Sequence, residues 1–107
     1  EATIDLGKTM PVRTVKGYFL HQPSSWIHRP LEMQVSISMD GINFKTIGSA
    51  TKIVFESEDN NIGYIPFIFN EKTRFIKVLI KNYGLIPAGN PGEGNKPWLF
   101  IDEIQVD

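Results

Sequence analysis

Residues 31–44 read "LEMQVSISMDGINF", and the fold class turns on this stretch. Leu31, Met33, Val35 and Ile37 alternate with Glu32, Gln34, Ser36 and Ser38. A period of two sends the first set to one face of an extended strand and the second set to the other. The register is firmly specified, because a slip of one residue would turn every apolar side chain outward. Asp40-Gly41 then favours the positive φ angles of a tight hairpin, so residues 44–47 are expected to return antiparallel to the strand before them.

The same alternation extends in both directions. Ala2, Ile4 and Leu6 alternate with Thr3 and Asp5 ahead of Gly7, and residues 12–20 read as a second strand. Further strands are expected at 52–55, 62–69, 74–81 and 98–106, with turn-like sequences at 58–61 and 70–72. That makes about eight strands. Pro66 cannot donate to a ladder, so its strand is expected to lie at an edge or to carry a bulge. No segment holds a 3.6-residue period over three turns. Short antiparallel strands at regular spacing predict an all-β fold, an antiparallel β-sandwich or jelly roll.

Composition narrows the function classes. The chain has 107 residues, 41% hydrophobic and 21% charged, enough for one core and one domain spanning 1–107. Eleven basic and twelve acidic side chains leave a formal charge of −1 without a clustered basic stripe, which argues against a nucleic-acid partner. With no cysteine there is neither a disulfide framework nor a thiolate metal site. No apolar run reaches the roughly 18 residues of a membrane span. The chain opens on Glu1, inside what reads as a strand, as expected of a piece of a longer protein.

The catalytic inventory is thin. There is no G-x-S-x-G elbow and no glycine-rich phosphate loop leading into a helix. His21 and His28 are seven residues apart across a proline-containing loop, unlike a zinc pair on one helix face. Asp102 and Glu103 are adjacent, so in a strand they face opposite sides and cannot serve as a paired acid and base. The acidic residues Glu56, Glu58 and Asp59 lack the ligand order of a calcium loop and read as a solvated turn.

Two long connections stand out, and long loops in compact domains are usually functional. Residues 21–30 read "HQPSSWIHRP"; residues 83–97 hold four of the nine glycines and three of the seven prolines. A sugar presents an apolar C–H face and a rim of hydroxyls, so its site needs an aromatic plate beside planar polar groups. His21, Gln22, Trp26, His28 and Arg29 offer that mixture, and Tyr83, Asn90 and Asn95 offer it again. Trp26 reads equally as a ligand platform or as a plug over the sandwich end, whereas Trp98 reads as core. The second loop is longer than connection requires. It is expected to cover the sandwich end beside residues 21–29, or to dock on a neighbouring domain.

Four motifs in order, "ATIDLG", "SMDGINF", "RFIKVLIKN" and "PWLFIDEIQV", resemble the discoidin-like F5/8 type C domains and family 32 carbohydrate-binding modules. "NYG", a Gly/Pro loop and "WLFIDEI" resemble more narrowly the C-terminal modules of bacterial family 20 β-N-acetylhexosaminidases. The resemblance implies a galactose-binding-domain-like sandwich without the family's usual N-terminal segment. It implies a non-catalytic accessory module whose partners are a glycan, hexose or N-acetylhexosamine, and the catalytic domain of the same polypeptide. The alternative is an interaction module that packs on that domain without binding sugar. A periplasmic, cell-surface or secreted location follows from the same likeness. So does a structural calcium ion with Glu103 among its ligands, the others coming in the family from the segment absent here.

Overall fold

Alternating β-branched and aromatic residues form six strands among the described residues. These are β1 (Ala2–Leu20), β2 (Glu32–Ser38), β3 (Lys45–Ala50), β4 (Val54–Phe55), β5 (Ile62–Lys81) and β6 (Ile101–Val106). The structure, a computed structural model, describes residues 1–107 apart from 57–60, Tyr83, Gly84, Pro87, Trp98 and Phe100, and only the backbone of Asp102. All pairings are antiparallel, in the order β3-β2-β5-β1-β6, with β4 added to β5. The protein is an all-β sandwich, with no α-helix among the described residues.

Two strands are shared between the layers. The first part of β1 pairs with the end of β5 (Ala2↔Val78), and that stretch of β5 also pairs with β2 (Val35↔Val78). Further along, β1 pairs with the start of β5 (Gly17↔Ile65) and with β6 (Gly17↔Ile104). Between these halves the β1–β5 register shifts twice, with Gly7 at φ 85° on the way. Such irregularities bend a strand and increase its twist, which lets one sheet fold over itself.

The core lies between the layers. Val15, Phe19 and Ile65 come from one, Met33, Val35, Ile76 and Val78 from the other, and Val12 sits near the bend; each is at most 1% exposed. Gly17 marks where the layers close in. A Cβ there would stand 2.9 Å from the Met33 sulfur and 3.3 Å from Ile80 Cδ1, so the absent side chain is what admits the facing layer.

The structure corrects several expectations. The strands expected at 2–6 and 12–20 are one strand, and so are those at 62–69 and 74–81. Residues 70–72 are not a turn, because Pro11↔Lys72 and Val12↔Glu71 keep that backbone in the ladder. Leu31 is 50% exposed and outside β2; it precedes the covered part of the sheet, its amide donating to the Lys81 carbonyl at 2.7 Å. Met33 and Val35 are fully buried as expected, while Ile37 is half-buried. Ser36 and Ser38 are buried despite their polarity, and their hydroxyls are hydrogen-bonded to Thr46 Oγ1 and to the Asp40 carboxylate. Pro66 does lie at a local edge. Opposite β1, β5 has described partners only at Gly63 and Tyr64 and again from Phe75 onward.

Candidate functional site: the end where two loops meet

The loop from His21 to Pro30 carries the chain from β1 in one layer to β2 in the other. It is tied at its start by the His21 amide, which donates to the Asn61 carbonyl at 2.6 Å. Pro23 opens a short 3-10 turn (Pro23–Ser25), consistent with a residue whose fixed φ suits a first helical position. Gln22 and Ile27 form an isolated antiparallel bridge that pinches the loop shut. Trp26 sits at the apex with φ 62° and ψ 22°, and is the one non-glycine residue at positive φ among those described. That conformation costs about 1–3 kcal/mol and must be held by its surroundings.

The surroundings come from the second loop. Its base is tied where Asn82 Nδ2 donates to the Pro97 carbonyl at 3.0 Å. Above this, the Ile86 amide donates to the Asn95 carbonyl at 2.8 Å and the Gly94 amide returns to the Ile86 carbonyl at 3.1 Å, with Ile86 itself buried. At the tip, the Glu93 amide donates to the Asn90 carbonyl and the Asn95 amide to the Gly92 carbonyl. The segment is thus a small self-bonded hairpin. Gly92, at φ 78°, faces the Trp26 indole so closely that a Cβ would overlap the ring, 2.6 Å from Nε1.

The expected residues part company here. Trp26 is 38% exposed, with part of its ring against Gly92, so it is neither a free plate nor a buried plug. Gln22 is exposed and His21 and Arg29 are half-buried beside it. The His21 ring meets the His28 ring edge-on at 5.5 Å and the Phe55 ring at 5.9 Å, and its Nδ1 accepts the Arg29 amide at 3.0 Å. His28 is buried and braces the loop from within instead of facing solvent. Burial lowers the pKa of both imidazoles, helped at His21 by the His28 and Arg29 charges and at His28 by Arg29. The lowered values favour the neutral form of both rings.

In the second loop, Asn95 is exposed and donates from Nδ2 to the Gly92 carbonyl at 3.0 Å, while Asn90 is half-buried. Tyr83 and Trp98 lie outside the described residues, as do Glu58 and Asp59. Glu103 is exposed on β6, opposite Tyr18 of β1. Among the described residues, no group of three His, Cys, Asp or Glu side chains comes together to hold a metal. Nor is any described helix long and apolar enough to cross a membrane.

Reading the sequence missed the role of Gly92 and the burial of Ile86. The glycine density signalled repeated turning but not which glycine would meet an indole 66 residues away in sequence. No protein-family model matches the chain, and no curated protein gives a significant match.

Proposed function

We propose that this chain is a non-catalytic carbohydrate-binding module, an accessory domain of a glycoside hydrolase resembling bacterial β-N-acetylhexosaminidases. Its ligand is a hexose or N-acetylhexosamine, and its setting is periplasmic, cell-surface or secreted. The observation that carries the reading is the Trp26 indole, part-exposed at the end where the two long loops meet. Gln22, His21 and Arg29 lie on the same short loop, as planar polar groups for the hydroxyl rim of a sugar. One stacking ring and a few hydrogen bonds in competition with water give roughly 4–6 kcal/mol, an affinity from millimolar to tens of micromolar.

The second reading is an interaction module that buttresses a catalytic domain without binding sugar. The contact between the indole and Gly92 favours it, since a ring used to clamp two loops has a structural task already. An NMR titration with N-acetylglucosamine, N-acetylgalactosamine and galactose separates the two. Saturable shifts at Trp26 with one of these sugars, lost in Trp26→Ala at a nearly unchanged Tm, support the module. No shift with any sugar, together with a large fall in Tm for Trp26→Ala, supports the buttress.

A further inference from the structure

Three features of the loop end fit together. Trp26 is held in a left-handed conformation that its side chain disfavours. Part of its ring rests where only a glycine leaves room. The glycine belongs to a hairpin fixed by its own hydrogen bonds, the Ile86–Asn95 and Gly94–Ile86 rungs and the Asn82–Pro97 tie. The seat is therefore built by the second loop, and the first loop's ring is placed upon it.

From this geometry we infer that Gly92 is the positioning residue of the Trp26 platform: it contributes no group to the ligand, but the absence of its side chain sets where the indole stands. The inference rests on the reading of Trp26 as a ligand plate, and gives the glycine-rich loop a definite part in it. The loop acts as the back wall of the site. Ligand affinity then depends on a residue that the ligand need not touch.

A glycine-to-alanine change at positive φ carries a backbone penalty wherever it is made, so the test needs matched controls. Gly7 and Gly89 provide them, at φ 85° and 86°, with nothing within 4 Å of an added Cβ. Gly92→Ala carries the same backbone strain and in addition collides with the indole. The readouts are Tm, the indole N–H resonance of Trp26 (assigned by its loss in Trp26→Phe), and titration with the sugar that binds best among the three named above.

The expected result is that Gly7→Ala and Gly89→Ala lower Tm slightly and leave the Trp26 resonance and the sugar affinity in place. Gly92→Ala should lower Tm further, shift the Trp26 resonance and weaken binding at least tenfold. In a Trp26→Ala background the excess loss of Tm at Gly92 should vanish, because nothing remains to collide. Should Gly92→Ala alone fail to fold, the double variant is expected to recover. An unmoved Trp26 resonance in Gly92→Ala, or an excess destabilisation that persists without the indole, overturns the inference. If the wild-type protein binds none of the sugars, the glycan reading fails while the resonance and the double variant still decide the role of Gly92.

Discussion

The two ends of strand β2 are built on different principles. At its far end, the hairpin to β3 is bonded within itself. The Asp40 carboxylate accepts the amides of Ile42 and Asn43 at 2.8 Å each, the Ser38 hydroxyl at 2.8 Å and Asn43 Nδ2 at 2.9 Å. The Ser38 hydroxyl in turn accepts the Asp40 and Gly41 amides. Every partner lies within five residues of the others, and Gly41 at φ 76° completes the turn. At its near end, β2 is entered from the Trp26 loop, whose shape depends on Asn61, on Phe55 and on Gly92, all distant in sequence. A locally bonded end should keep its shape when residues at the other end of the strand are changed. An end assembled from distant pieces can be altered from far away, which suits a site.

The largest expected effect tests whether both ends depend on one core. Val35 is fully buried in β2 between them, so Val35→Asp places an unpaired charge among Met33, Ile76 and Val78. A loss of more than about 4 kcal/mol is expected from a total of roughly 5–15, with both ends lost in a single transition by chemical denaturation. Two separate transitions would mean that the hairpin end folds alone.

Asp40→Ala comes next. It removes four acceptor bonds from the hairpin and should lower Tm by several degrees, leaving the Trp26 indole resonance where it is. Movement of that resonance would erase the distinction between the ends. Asp40→Asn keeps one oxygen acceptor and should lose less.

Acidity separates the ends without mutation. Both histidines have lowered pKa values in the folded protein, so the unfolded chain takes up protons first as the pH falls. Stability is then fully present above the unfolded value of about 6.5 and declines below it, through the lower folded values. The Asp40 carboxyl is held well below its ordinary range, first by the Asn43 amide, then by those of Ile42 and the Ser38 hydroxyl. Its contribution is present above about 3.9 and is lost only as the pH falls further. Amide protection, taken relative to the intrinsic exchange rate at each pH, should therefore begin to fall around residues 21–29 below about pH 6.5 and around 39–43 only below about pH 4. A single shared midpoint would sink this reading.

The smallest effect is expected between the first part of β1 and β5. Asp5 and Arg74 pair at 3.0 Å, yet both side chains are more than 40% exposed. Arg74→Gln should move Tm by less than about 4 °C, and high salt should shrink the difference.

How legible these features were follows the same division. The alternation at 31–38 and the Asp40-Gly41 turn placed β2, the hairpin and the inward Met33 and Val35, since a period of two and a turn residue act over a few residues. Leu31 and Ile37 fit the same alternation but lie at the ends of the covered stretch, and alternation does not state where the facing layer stops. Residues 70–72 looked like a turn because Asn favours one and Glu and Lys are depleted in strands. Pairing with Pro11 and Val12, some 60 residues away, kept them extended. The two polar loops could be picked out by composition and length, and their nearness at one end was expected from antiparallel order.

By itself, then, the sequence determined an all-β antiparallel chain, the register of β2, a proline at an edge or bulge and two loops worth attention. These are consequences of side-chain period, β-branching and turn chemistry, which act between near neighbours. Tertiary structure alone decided that four expected strands merge into two bent ones, that His28 turns inward, and that Trp26 takes a strained conformation against Gly92. Each of those outcomes depends on which distant backbone arrives alongside. Close packing leaves room for one arrangement of a large ring and a missing side chain, and that fit exists only once both loops have been brought to the same end.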